Sequence, residues 1–573
     1  MSLTKVSFSM IDGAYANPKD YGARGDGLGT TPADEGVDIS NAAWNTWPAS
    51  FNTANYNTKP GQPYGNSAWL ASHKPFANTD TWDFIGIQLA IWTGQSVYLP
   101  IGEYLVNQSV VYSGTFYGNL VGEHQYLSRI IMKDRNAFPT IGTNWQSGAQ
   151  SSFGKPVIYF YRTGLSGIDV RSVAISTTIV TSFTGNANDI PSNLATSTSC
   201  VAGNNVDTLR FQDCFFSGTG EIGVLLSNVS AATFNNIITE YYVAHIYLDS
   251  GSNAIVENSV IFNTWRNTDT AKRVAGIMLA GTSCYTTVYD STFWQMWYGA
   301  VYSLSNTNGF RLMSSIVDNS DSAETDGTGQ CLSGTYNWFN VQNCTLLFGN
   351  HDYAPIALEF TFMSSFNDNW VNSGGVQCQW GAAQFIGNAQ LSVSGNSFNV
   401  LSTGSPNVNG NIIYSDANFP YNQNCPNVTF NNNTLTGFTT NKVALGGIYL
   451  GNSDSTVSGS LAMSSGVTSG TYYSLVAPDT LSTGTYLVEV VWSGASTPYN
   501  VGVSGTMRIG LQQSTSNGPT VPVSIVDYTN TSQTLTIVPY GDVTGNAAGI
   551  KVATNFNYVA ADSSFTYRFV RMI

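Results

Sequence analysis

The sequence predicts an all-β chain whose central part is a parallel β-helix, and three observations carry that expectation. A short phrase keeps returning, short β-type runs fill the intervals, and sustained helical periodicity is missing. The phrase reads VENSVIF at 256–262, with FQDCFF at 211 and FNNIIT at 234 before it. After it come VYDSTF at 288, LMSSIV at 312, VQNCTLL at 341, FNDNWV at 366, VSGNSF at 393 and FNNNTL at 430. The starts are separated by 23, 22, 32, 24, 29, 25, 27 and 37 residues. This is a unit of about 22–25 residues, lengthened at intervals by loops, and it falls in the solenoid range.

Between the phrases lie GVLLSN, AHIYLDS, AGIMLAG, GAVYSLS, CLSG and PIALEF, each rich in Val, Ile, Leu or Tyr. Several strands per repeat and no helix leave turns that stack on one another at about 4.8 Å. The Asn, Ser or Asp inside each phrase then belongs at a corner, where a short polar side chain bonds neighbouring backbone and its counterpart one coil away. The flanking Val, Phe or Ile points inward. A propeller would need a regular period near 40 residues with antiparallel strands, and leucine-rich repeats a strict Leu framework. Neither is present.

The 573 residues exceed one ordinary core, and 42% hydrophobic residues suffice for a long buried interior. Only 10% are charged, so the solvated faces must be built from Asn, Ser, Thr and Gly, and 13% aromatic residues add flat apolar faces. Such a surface suits sugar hydroxyls and rings. The net charge of −14 excludes a nucleic-acid binder, which needs clustered cations. No run approaches the ~18 apolar residues of a membrane span, and MSLTKVSFSMIDGA lacks the apolar segment of a secretory signal. Seven Cys, sparse and odd in number, read as small core hydrophobes kept reduced. The four His pair with neither Cys nor carboxylates at ligand spacing, so no metal and no cofactor is expected.

The segment NPKDYGARGDGLG (18–29 from Pro18) and the later TDTWDFIGIQLAIWTGQSVYLPIGEYLV (79–106 from Thr79) carry a family resemblance. Together they resemble the head of the pectate-lyase-like β-helix superfamily, phage tailspikes in particular. There a DFGAxGDG-type phrase precedes a Thr-Asp-Asp-Thr stretch, a helix, and a strand of the form vylPxGxY. Here about fifty residues rich in Asn, Pro and Trp split the two halves. GARGDGLG is no phosphate loop, because no strand and helix frame it. The resemblance covers the head closely and residues 18–450 by pattern, and it implies a right-handed parallel β-helix. From about 451 the texture changes to a Ser/Thr/Gly connector. Longer alternating strands then follow, such as TYLVEVVWSG and FTYRFVRMI, the pattern of a C-terminal β-sandwich. The expected division is a lead or attachment segment at 1–19, a small N-terminal head at 20–155, the β-helix at 156–450 and the sandwich at 451–573, used for trimerisation or carbohydrate binding.

Aligning the phrases places Glu240, Trp294 and Asp318 six residues after the phrase starts, and Trp265, Trp297 and Asp321 nine after. Glu221, Tyr241, His245, Arg266 and Asp352 lie nearby. Carboxylates and large aromatics are thus concentrated over four or five consecutive coils. Hydrolysis of a glycosidic bond needs two carboxyls about 5–5.5 Å apart if retaining and ~6.5–9.5 Å apart if inverting. Glu240 is named first, because aromatic neighbours favour the protonated carboxyl of a general acid. Glu221, Asp318 and Asp321 compete for the second role. Tyr241, His245, Trp265, Arg266, Trp297 and Asp352 are the candidate substrate-binding residues. His245, beside a core strand, also reads as a structural histidine, and each Trp as a packing residue.

What the resemblance implies is a homotrimeric phage tail spike, assembled in the host cytoplasm and carried on the virion. Residues 1–19 would contact another tail protein. The spike would bind and depolymerise a bacterial capsular polysaccharide, with endo-glycosidic hydrolysis favoured. Two alternatives stand beside it. One is a lyase using Arg266 with Tyr241 or His245. The other is a spike that holds the glycan without cutting it.

Overall fold

The computed structural model describes residues 15–37, 76–92, 94–113, 118–141, 153–161, 167–177, 197–218, 222–240, 243–263, 275–296, 298–320, 330–348, 356–372, 383–387, 390–399, 427–431 and 433–436, with eight further strands between 456 and 572. The central part is a parallel β-helix. One turn of chain runs through Ala244–Asp249, Asn253–Glu257 and Val260–Phe262, and the next through Ala275–Leu279, Tyr285–Tyr289 and Thr292–Trp294. Ala244 pairs with Ala275, Asn253 with Tyr285 and Val260 with Thr292, all in parallel. Stacked turns therefore make three faces. The third is a separate twelve-stranded sheet reaching from Gly102–Val106 to Thr434–Thr436. The first and second merge into a 19-stranded sheet, because Thr198–Gln212 and Ile222–Asn235 run unbroken through the bend between them.

The recurring phrase is the bend between the second and third faces. Its first residue points into the core: Phe211, Phe234, Val256, Val288, Leu312, Val341, Phe366 and Val393 are all buried. Phe211 stacks on Phe234 with ring centroids 5.0 Å apart. Its third residue takes the left-handed conformation, at Asp213, Asn236, Asn258, Asp290, Ser314, Asn343, Asp368 and Gly395. That conformation costs an ordinary residue roughly 1–2 kcal/mol, and Asn, Asp or Gly bear it best. A tenth copy, VRSVAI at 170, has the same bend at Ser172.

The fourth residue is buried and forms a ladder along the molecule. Asn396 accepts from the backbone N–H of Asn369 at 2.9 Å and from its side-chain amide at 3.0 Å. It donates to the carbonyl of Phe366 at 2.9 Å and to the side-chain oxygen of Asn433 at 2.8 Å. Earlier in the chain serines fill the slot: Ser259, Ser291 and Ser315 each accept the N–H of the preceding coil's fourth residue at 3.2 Å. Cys214 and Cys344 fill it too, their thiols directed at backbone carbonyls. The ladder satisfies the backbone donors that a tight bend would otherwise bury unpaired. All five described cysteines are buried and free, as their spacing suggested.

The two halves of the head meet. Helix Trp82–Trp92 presents Asp83, whose carboxylate accepts from the N–H groups of Arg24 at 2.7 Å, Gly25 at 2.9 Å and Leu105 at 2.9 Å. Burial raises the pKa of Asp83 while those three donors act to lower it. At Gly86 a Cβ would stand 2.4 Å from the backbone nitrogen of Ala23, so the helix can lie directly on the motif only with glycine there. Gly86 and Asp83 thus close the first coil, which begins at Val97–Leu99. The C-terminal strands form two antiparallel sheets, one of five strands and one of three.

Candidate functional site

Each strand of the third face is three or four residues long over the middle coils, with a buried centre and two flanking side chains turned outward. The buried centres are Phe216, Thr239, Ile261, Phe293, Val317 and Leu346. The outward residues after them stand in register as Ser217, Glu240, Phe262, Trp294, Asp318 and Leu347. The outward residues before them are Phe215, Ile238, Val260, Thr292, Ile316 and Thr345. A carboxylate, two aromatic rings and a second carboxylate therefore succeed one another along one exposed ledge. Trp294 is 43% exposed and Ile316 beside it likewise 43%. Between the carboxylates Trp294 is exposed and Phe262 half-buried, ring faces of the kind that can stack on a sugar.

Glu240 and Asp318 are three coil steps apart, which at about 4.8 Å per step is ~14 Å. That exceeds the ~6.5–9.5 Å of an inverting pair. The sixth-place alignment of Glu240, Trp294 and Asp318 holds, and its consequence is that these two carboxyls do not act on one bond by themselves. Glu221, Tyr241, Trp265, Arg266, Trp297, Asp321 and Asp352 lie outside the described residues. Among the described residues, no group of three His, Cys, Asp or Glu is arranged to hold a metal ion.

His245 is not on the ledge. Its side chain is 0% exposed, and Nδ1 lies 2.6 Å from the hydroxyl of Thr239. Burial lowers its pKa to about 3, so the ring is neutral. The expectation of a substrate-binding histidine, and of a lyase base at this position, is corrected: a ring sealed in the coil reaches neither polymer nor solvent. Its contact with Thr239 instead ties together the two ends of the 240–244 turn, immediately below Glu240.

Asn319 holds the other carboxylate in a comparable way. It is buried; its side chain accepts from the N–H of Met296 at 2.7 Å and donates to the carbonyls of Met296 at 2.7 Å and Gln330 at 3.0 Å. Asn319 thereby links Met296 of the preceding coil to Gln330. Asp318 accepts from the N–H of Ser320 at 3.0 Å and from its hydroxyl at 2.6 Å, which fixes the carboxylate at the loop's root. Neither Thr239 nor Asn319 stood out in the sequence. A signal was present at Asn319: it is an amide at a position that alternation assigns to the interior.

No protein-family profile matches the chain, and no curated protein matches it in sequence. Among solved structures, it is similar to the tailspike protein gp49 of Pseudomonas phage LKA1, at 12% identity over 97% of this chain and 100% of that one, with a TM-score of 0.40. It is also similar to the tailspike protein of Acinetobacter phage vB_ApiP_P1, at 10% identity over 86% and 84%, with a TM-score of 0.32. The tailspike gp49 of Acinetobacter baumannii bacteriophage Fri1, described as a capsular polysaccharide depolymerase, aligns at 10% identity over 84% and 81%, with a TM-score of 0.21. At those scores the parallel β-helix rests on its own strand registers, and the chain is one with tailspike structures among its distant likenesses.

Proposed function

We propose that the chain is a phage tail spike that binds a bacterial surface polysaccharide along the third face and cleaves it by endo-glycosidic hydrolysis. The observation that carries this reading is the ledge Glu240–Phe262–Trp294–Asp318, four outward side chains in unbroken register. Glu240 is the general acid. Its partner comes from Glu221, one coil earlier, or from Asp321, beyond the loop root at Asp318. Phe262 and Trp294 hold sugar rings between them. The head resemblance supports a homotrimer on a virion, acting at the bacterial surface, with the C-terminal sheets serving trimerisation or glycan binding.

A second reading is favoured by the ~14 Å between Glu240 and Asp318: a spike that grips the glycan and leaves it whole. Incubation with purified capsule separates the chemistries. New reducing ends without the ultraviolet absorbance of unsaturated uronates mean hydrolysis. That absorbance means elimination, and unchanged polymer length means binding alone.

A further inference from the structure

The second face of the same coils carries a separate cluster. Outward positions there align as Asn253, Tyr285, Gly309 and Trp338, and in the next column as Ile255, Thr287, Arg311 and Asn340. Tyr285 and Trp338 are half-buried and Arg311 is exposed. Gly309 stands between the two rings. A Cβ on it would lie 2.7 and 2.8 Å from indole carbons of Trp338 and 2.3 Å from that residue's carbonyl oxygen, so only glycine lets the indole lie down on the strand. The Arg311 guanidinium carbon is 5.6 Å from the indole centroid. A cation–π contact at that distance restrains the guanidinium, whose forked N–H groups suit bidentate recognition of a carboxylate. Among the described residues, no carboxylate lies within ion-pair distance of Arg311.

We infer that Tyr285, Arg311 and Trp338 form a second, non-catalytic saccharide site that selects rings bearing a carboxylate. The rings supply stacking surface over about two coil steps, ~10 Å. Arg311 supplies the forked donor that a uronate-type carboxylate takes in two parallel hydrogen bonds. An exposed cation 5.6 Å from an aromatic centroid is suited to an anionic ligand that also offers a ring to stack. Cleavage does not belong here: Glu257 is the one carboxylate in these second-face strands, and its Oε1 accepts from Asn235 at 2.7 Å. Glycoside hydrolysis uses two. The site stands whether or not the third face cuts.

The test is calorimetric titration of the full chain with hexagalacturonate and, separately, neutral maltohexaose. The native chain is expected to bind the acidic oligomer at least tenfold more tightly. Arg311→Gln, an exposed change, should remove that preference with the melting temperature unchanged, and Gly309→Ala should weaken both ligands by displacing the indole. Glu240→Gln should bind hexagalacturonate as the native chain does. Equal affinity for the two oligomers, or native affinity in Arg311→Gln, overturns the site. Loss of hexagalacturonate binding in Glu240→Gln overturns its separateness from the third-face ledge.

Discussion

The second and third faces of the β-helix are built from the same turns of chain and differ in what they turn outward. Over the coils from 222 to 348, the third face shows Glu240, Phe262, Trp294 and Asp318 in one column. The second face shows Tyr285, Arg311 and Trp338 with amides around them. Both are parallel strands in continuous register, although the second face shares long strands with the first and the third stands as a sheet of its own. Only the outward half of each strand's alternation is free to vary, because the inward half is committed to packing. A solenoid therefore fixes where side chains stand, leaving its faces open to unrelated chemistry: rings between acids on one, a cation beside a ring on the other.

The largest expected effect separates the faces by reaction. Glu240→Gln should lower the rate of reducing-end release about 10²–10⁴-fold, the range of a lost general acid, while Arg311→Gln leaves the rate on short neutral fragments unchanged. Native rates in Glu240→Gln would move the chemistry off the third face. Next in size is the bend that keeps the faces in step. Asn396→Ala removes four buried hydrogen bonds and should cost about 3 kcal/mol in denaturant unfolding, whereas Ser291→Ala, with one accepted and one donated bond, should cost about 1 kcal/mol. Equal costs would mean that the ladder is no more than filler.

His245 gives a pH test of the turn beneath Glu240. Its folded pKa of about 3 lies below the ordinary 6.5, so the unfolded chain binds the extra proton first. Stability is unaffected above about pH 6.5 and falls as pH drops from there toward 3, by at most about 2 kcal/mol at pH 5. Thermal melts of His245→Gln against the native chain should show that acid-side loss removed; parallel pH profiles would contradict the sealed histidine. The smallest effect is at Trp294, where alanine should raise KM about tenfold with little change in kcat, as for a contact made equally before and during reaction.

Much of this arrangement was legible in the sequence because of how the bend works. No residue can be inserted between the left-handed corner and the strand that follows it, so the sixth place after each phrase start is rigidly tied to the phrase. Glu240, Trp294 and Asp318 fell into register for that reason. The ninth place lies past the third-face strand, and Trp265, Trp297 and Asp321 fall outside the described residues. Tyr285, Gly309 and Trp338 escaped notice for the opposite reason: each lies three residues before a phrase start, and period-two alternation carried backward would have found them. His245 had two readings, a ligand contact or a structural histidine beside a core strand, and its burial with a bond to Thr239, six residues away, decides for the second. The copy at 170 was missed because its coil is followed by forty-one residues before the next phrase start.

The most direct measurement of the proposed function is a crystal structure of the Glu240→Gln chain soaked with a bacterial capsule oligosaccharide. The account predicts sugar rings along the third face, over Phe262 and Trp294, with a glycosidic oxygen within hydrogen-bond reach of residue 240. An oligosaccharide whose scissile bond lies on another face, with the ledge bare, would contradict it.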